Sequence, residues 1–308
     1  MRTENRRAPF IDYKNPGIFM ISFNTIPQSL PLSYLRFDKK VDIPKESVRA
    51  WLSPLGFVVK DTLDLLKASN KKIGIIQHII MPDHVHFILD IKERLDEDLG
   101  FVIGRLKREI YLEALKRNII KPETKAIFEH GFNDLFLKKS VNLKTLINYI
   151  KENPYRLWLK QQNPTYFENL VNDNIIDIPC RLYGNISLLM HPFKEAVVVH
   201  RSFSPQELKR YSEIWRYHIY NGGVLVGAFI SDKEKEIFNE ALENNSKIIL
   251  ISDKGYDSRQ KPPGKLFYAC SKGNLLIITP EEYLQRKRNI VGRKDFLLWN
   301  SIAESIAE

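Results

Sequence analysis

Cysteine is scarce in this chain: Cys180 and Cys270 are its two cysteines in 308 residues, and neither belongs to a CxxC pair. Two widely spaced thiols build no disulfide framework, which points to a reducing compartment. Long apolar runs are missing as well. None approaches the length that crosses a bilayer, so a membrane partner is not expected. The opening stretch, MRTENRRAPF, is basic and lacks the apolar segment of a secretory signal, and a cytoplasmic protein is the expectation. Acid is in short supply relative to base, with 37 Asp and Glu against 47 Lys and Arg, for a formal charge of +10. That surplus favours a polyanionic partner, because each cation that meets a phosphate releases a condensed counterion. Taken alone it equally fits a solvated basic surface. Internal repeats and low-complexity tracts are absent, and the length suits two ordinary domains with full cores.

The texture of the sequence changes near residue 160. Apolar, β-rich sequence at 17–25 (GIFMISFNT) predicts a first strand, and 28–47 reads as turn-rich and irregular. Over 48–67, Trp51, Leu55, Val58, Val59, Leu63 and Leu66 recur at near-helical spacing, with Pro54 close to the helix start. Segment 72–91 is the strongest strand region, interrupted by the turn-like Met81-Pro82-Asp83. Helices are predicted over 97–117 and 141–153, the second with Leu143, Leu146, Ile147 and Ile150 on its apolar face. Residues 161–180, rich in Asn, Asp and Pro, read as a linker. Beyond them, short apolar pieces (EAVVVH, GGVLVGAF, KIILIS, NLLIITP) alternate with helical stretches at 205–220 and 232–244. Such alternation predicts an α/β domain with a mainly parallel sheet covered by helices. The expected organisation is therefore a first domain over 1–160, a linker over 161–180, and a second domain over 181–308. The last of these ends in a basic tail containing Arg286, Lys287, Arg288, Arg293 and Lys294.

Two groupings carry chemistry. His84 and His86 flank Val85 in a strand, so both imidazoles project to one face and can converge on one ion while Val85 points into a core. Surface or core histidines produce the same pattern; His78, alone in an apolar run, reads as structural. Tyr149 and Asn153 stand four apart and share one side of a helix. Tyr149 follows Leu146 by three residues, so packing at the core edge is the plain alternative to a functional phenol. Asn153 precedes Pro154, which predicts that the helix ends or kinks there and leaves a C-terminal cap as the ordinary role for Asn153. Lys138, Lys139, Lys151 and Arg156 flank this helix, with Phe132, Phe136, Tyr155 and Trp158 nearby. Interleaved cations and rings suit a single strand of nucleic acid. Arg105, Lys107 and Arg108 on the preceding helix are further candidates for backbone contact.

Together these pieces resemble a known family. Met81-Pro82-Asp83-His84-Val85-His86-Phe87-Ile88-Leu89 resembles the HUH signature (histidine, hydrophobic, histidine) of IS200-like transposases. Phe132-Asn133-Asp134, followed by Tyr149-Ile150-Lys151-Glu152-Asn153-Pro154-Tyr155-Arg156, resembles the tyrosine helix of the REP-associated tyrosine transposases. The likeness extends over about residues 17–160. It implies an α+β ferredoxin-like domain with an antiparallel sheet, and a divalent metal, usually Mg2+ or Mn2+, held by His84 and His86 with Asn153 as a further ligand. It implies that Tyr149 is the nucleophile of an endonuclease or transposase that cuts and rejoins single-stranded or hairpin DNA through a 5′-phosphotyrosine. A homodimer is one arrangement open to such a protein. Relatives usually carry Asn before the first histidine; here Asp83 stands there, either adding charge near the metal or closing the turn. Two alternatives share these features: a nickase for replication initiation or plasmid transfer, and a catalytically inactive DNA-binding regulator.

In the second half, Val198-Val199-His200-Arg201-Ser202 and Gly222-Gly223, with a helix opened by Ser231-Asp232, resemble the Rossmann-like fold of the DNA-processing protein A and lysine-decarboxylase-like groups. The glycines do not form GxGxxG, so dinucleotide binding is not indicated. Arg201, Gly222 and Gly223 are the candidates for phosphate binding, the alternative being that the glycines make only a tight turn.

Overall fold

Alternation in GIFMISFN puts Phe19, Ile21 and Phe23 on one face, and the segment forms strand β1 (Gly17–Asn24). In the computed structural model, residues 11–38, 44–137, 143–167, 169–175, 178–256, 261–285 and 291–308 are described. The chain divides into two units, Met1–Trp158 and Leu159–Glu308. No helix among the described residues is long and apolar enough to cross a membrane.

In the first unit β1 leads to an antiparallel ribbon, β2 (Ser33–Phe37) with β3 (Val48–Leu52), then helix α1 (Pro54–Ser69). Strands β4 (Ile73–Ile80) and β5 (His84–Ile91), helix α2 (Leu99–Lys116), strand β6 (Asn133–Phe136) and helix α3 (Leu143–Gln162) follow. The four-stranded sheet has the order β4-β5-β1-β6, and every neighbouring pair is antiparallel. One face is closed by α1 and α2: Val58, Val59, Leu63, Val102, Ile103, Leu106 and Ile110 form a single core with Phe19, Ile21, Phe23, Val85, Phe87 and Leu89. The other face carries the alternate residues of the same strands.

Two expectations needed correction here. The stretch over 28–52 holds the β2–β3 ribbon, so Val48 and Trp51 belong to a strand, and the helix begins only at Pro54. The reason is local: the Ser53 hydroxyl oxygen accepts the Gly56 N–H at 3.1 Å, Pro54 sits where a helix needs no N–H, and Gly56 allows the Leu32 carbonyl an approach that a Cβ would block. Helix α3 does not stop at Asn153 but runs through Pro154 to Gln162. The proline removes a donor from that turn, and the Asn153 amide donates back to the Tyr149 carbonyl at 3.0 Å within it.

In the second unit the stretch expected as a linker contains β7 (Asn169–Ile175) and the start of β8 (Ile178–Gly184). There follow β9 (Lys194–Ala196), α4 (Pro205–Tyr220), β10 (Val224–Gly227), α5 (Asp232–Glu243) and β11 (Lys247–Ile251). The chain closes with α6 (Gly264–Ser271), β12 (Leu275–Pro280), α7 (Glu281–Gln285) and α8 (Arg293–Ala307). The sheet order is β7-β8-β12-β11-β10-β9; β9 to β12 pair in parallel, and β8 adds antiparallel to β12 and β7. Burial from both sides explains the near-continuous apolar runs. Trp215, Ile219, Ile237, Ala241 and Phe267 cover one face, and Leu188, Tyr283, Trp299, Ile302 and Ile306 the other. Residues 293–307, expected as a basic tail, are thus a core helix whose Trp299, Ile302 and Ala303 are buried; Arg286, Lys287 and Arg288 lie outside the described residues.

Candidate active site

The register of the first sheet decides which side chains share the face away from α1 and α2. Asn24 stands opposite His84, Ser22 opposite both His86 and Asn133, and Ile79 opposite His86. A polar row therefore crosses the strands as His86, Ser22 and Asn133. The histidine spacing announced its first member and Asn133 stood in the Phe132-Asn133-Asp134 motif; Ser22 became visible only through the register. Asp134 belongs to the helix-covered face, where its carboxylate accepts the Tyr13 hydroxyl at 2.8 Å. His78 stands opposite Phe87 on that same face, and burial pushes its pKa down.

The two imidazoles meet edge to face, with ring centroids 4.7 Å apart. Nδ1 of His84 lies 2.6 Å from the Asp83 carboxylate. A carboxylate at Nδ1 favours the tautomer with its proton there and turns the Nε2 lone pair outward, as metal-binding histidines require. The turn is pinned by the backbone: Thr25 N–H donates to the Asp83 carbonyl and Met81 N–H to that of His84, each at 2.8 Å.

Helix α3 brings Tyr149 to this face. Its ring centroid lies 6.2 Å from that of His86, at 70°. The Arg156 guanidinium carbon is 5.2 Å from the centre of the Tyr149 ring, and Arg156 is 6 % exposed. Arg156, expected as a DNA contact, is buried against the tyrosine about two turns further along the helix. With its nitrogen committed to the Tyr149 carbonyl, Asn153 has its oxygen as the atom suited to a cation. Two imidazole nitrogens and a carboxamide oxygen, with Asp83 as an outer carboxylate, fit a divalent ion in donor chemistry. Among the described residues no cluster of three or more His, Cys, Asp or Glu could hold a metal, so the histidine pair would need neutral oxygen donors beside it to hold an ion.

Alongside lies an open groove of about 540 Å³ whose walls include Gln77, Ile79, Arg49, Lys45, Asn148 and Lys151. Lys151 is exposed there as expected, whereas Lys45 pairs with Glu152 at 2.7 Å. Neither Lys45 nor Arg49 stood out in the sequence, because Lys45 falls in a stretch that reads as irregular and Arg49 in one that reads as helical. Lys138 and Lys139 lie outside the described residues. The cations of α2 are on the helix-covered side of the sheet, not with the histidines. There Arg105 pairs with Glu97, Arg108 is exposed, and Lys107 donates to the Glu129 carbonyl at 3.0 Å and to that of Gly131. The Lys107 ammonium also sits 4.9 Å from the centre of the Phe23 ring, and burial pushes its pKa down to about 8. Lys107 therefore ties α2 to the loop before β6.

In the second unit the three candidates for phosphate binding are not brought together. Gly222, at φ +76°, closes α4, and Gly223 N–H donates to the His218 carbonyl at 2.9 Å as the chain enters β10. Arg201 is exposed beyond the opposite, C-terminal end of β9. Near that end three backbone donors are already taken. The Glu234 carboxylate accepts Val199 N–H at 2.7 Å, Ile230 N–H at 2.6 Å and Ser231 N–H at 2.9 Å. The sequence marked Ser231-Asp232 as the helix start, but not the capping role of Glu234 or its reach to a neighbouring strand.

No family model matches the chain, and no curated protein matches it. Two solved structures are similar in part. A REP-associated tyrosine transposase bound to a REP hairpin is 17 % identical, with a TM-score of 0.35, over 50 % of this chain and 74 % of that one. DNA processing protein A from Helicobacter pylori, described for its single-stranded DNA binding mode, is 18 % identical, with a TM-score of 0.32, over 46 % of this chain and 67 % of that one. Both likenesses are distant and partial.

Proposed function

We propose that this chain is a metal-dependent endonuclease of the HUH type, cutting and rejoining single-stranded DNA as a transposase does, with Tyr149 as nucleophile. The observation that carries the reading is the packing of the Tyr149 ring 6.2 Å from that of His86, which itself meets His84. The order β1-α1-β4-β5-α2-β6, with sheet order β4-β5-β1-β6, supports a ferredoxin-like domain. Parallel strands alternating with helices support a Rossmann-like second domain.

In this reading His84 and His86 would hold Mg2+ or Mn2+, Asp83 favours the ligating tautomer of His84, and Asn153 would offer its amide oxygen. A bound divalent ion polarises the scissile phosphate and neutralises the charge that develops on it. The Tyr149 oxygen gives up its proton and bonds to phosphorus as the bond from phosphorus to the 3′ oxygen breaks. The departing oxygen takes a proton and becomes a 3′-hydroxyl, while the 5′ side stays on the tyrosine. A phosphodiester is kept throughout, so attack by another 3′-hydroxyl rejoins DNA. Arg156 holds a permanent positive charge against the nucleophile's ring, and Arg49 and Lys151 in the groove suit the phosphates of the incoming strand.

The test is incubation with a pool of labelled hairpin-bearing single strands and Mn2+, followed by denaturing electrophoresis. A protein–DNA adduct that chelator abolishes supports the reading. No adduct and no cleavage across the pool would leave a DNA-binding regulator instead.

A further inference from the structure

The β2–β3 ribbon presents a face of which Arg49 alone has been given a role above. Its register sets Tyr34 opposite Trp51 and Arg36 opposite Arg49. All four point away from the side that carries Phe37, Val48 and Ala50, because residues two apart on a strand share a face. Phe37 anchors that inner side by stacking on Trp158, with ring centroids 4.9 Å apart and planes at 7°. The outer four are exposed, Tyr34 at 56 % and Trp51 at 54 %.

Two features make this face unusual. Like charges directly opposite on paired strands repel, yet the two arginines are cross-strand partners, and neither has an ion pair among the described residues. The segments SYLRF and VRAWL contain no acidic residue to balance them. Large rings left in water beside them add a hydrophobic cost. Among the described residues, Arg36 and Trp51 partner each other on the face, the guanidinium 4.3 Å from the centre of the ring. A ligand that offers negative charge and flat apolar faces together would relieve both costs.

We propose that this outer face binds single-stranded DNA, with bases stacking on Trp51 and Tyr34 and phosphates meeting Arg36 and Arg49. A single strand alternates the two chemistries along its length, whereas an acidic peptide supplies only the charge. Arg49 also lines the groove walled by Asn148 and Lys151 of α3 and by Val48 and Ala50 of the ribbon's inner side. Arg49 is thus shared by the groove and the outer face of the ribbon. This inference rests on the nuclease reading for its substrate and extends it to a second contact region.

The experiment measures binding of a labelled mixed-sequence single strand by fluorescence anisotropy across a salt series. The chains compared are the unaltered protein, Tyr34→Ala/Trp51→Ala and Arg36→Gln/Arg49→Gln. The aromatic pair should weaken single-strand binding about tenfold or more. The arginine pair should lower the slope of log affinity against log salt by about one to two. A blunt duplex of the same sequence should respond far less to the aromatic change. Folding is checked by thermal unfolding, and the single variants Trp51→Leu and Arg49→Gln serve should either pair fail to fold. Unchanged affinity and slope in folded variants overturn the proposal, as does a loss confined to binding of poly-glutamate. Ribbon-dependent binding without any covalent adduct would sink the nuclease reading and leave the ribbon standing; adduct formation with full affinity in every variant would do the reverse.

Discussion

The Asp83 carboxylate lies 2.6 Å from Nδ1 of His84, so the chain itself dictates which imidazole nitrogen remains to bind an ion. Replacing Asp83 with Ala should weaken Mn2+ binding by about 10- to 100-fold, the usual loss when an outer partner of a ligating histidine is removed. Because the Asp83 side chain is 75 % exposed, thermal stability should hardly change. Titration followed by the electron paramagnetic resonance of free Mn2+ reads the affinity directly. An unaltered affinity would mean that the carboxylate only closes the turn.

Arg156 tests whether a buried cation serves the nucleophile or the DNA. With Arg156 held against the Tyr149 ring, Arg156→Met should slow adduct formation about tenfold or more, since a desolvated cation–ring contact is worth about 2 kcal/mol. Single-strand affinity should stay nearly constant. Loss of affinity with an unchanged rate would make it a phosphate contact after all.

Lys107 makes the opposite case, a cation expected on DNA that the fold uses internally. Its pKa falls to about 8 from 10.5 through burial. Between those values the unfolded chain binds the extra proton, so the native state gains stability as pH rises through that window; below it both states are protonated and the cost of burial stands in full. Lys107→Met should erase that gain in denaturant unfolding measured between pH 8 and 10.5. It should leave the salt dependence of DNA binding untouched, whereas a slope lower by about one would place Lys107 on a phosphate.

Glu234 fills, with its own carboxylate, the place where backbone donors from two loops converge. Glu234→Ala should destabilise the second unit by roughly 2–4 kcal/mol, since it strips charge-assisted bonds from three N–H groups. Calorimetry of the full chain should show the loss in one of two transitions. A variant as stable as the parent would mean that solvent satisfies those donors equally well.

What could be read ahead of the structure followed from short-range periodicity. The two-residue spacing of His84 and His86 put both rings on one face, and the four-residue spacing of Tyr149 and Asn153 put them on one side of a helix. Which face of the sheet each helix covers is set by distant packing, so Arg105, Lys107 and Arg108 could not be told from groove residues. The β2–β3 ribbon escaped because Trp51 and Leu55 mimic helical spacing across the Ser53-Pro54 boundary. Helix α8 hid behind its basic flank, although Trp299, Ile302, Ala303 and Ile306 carry a helical apolar stripe. For Gly222 and Gly223 the sequence left phosphate binding and a tight turn open, because the distance of Arg201 from that turn is set by the lengths of β9 and β10.

The most direct measurement is peptide mass spectrometry of the chain after reaction with single-stranded hairpin DNA and Mn2+ and digestion of the attached strand. The account predicts a nucleotide remnant on the peptide carrying Tyr149, and none at all from Tyr149→Phe despite retained DNA binding. A remnant on Tyr155 or any other residue, or a covalent adduct formed by Tyr149→Phe, would contradict it.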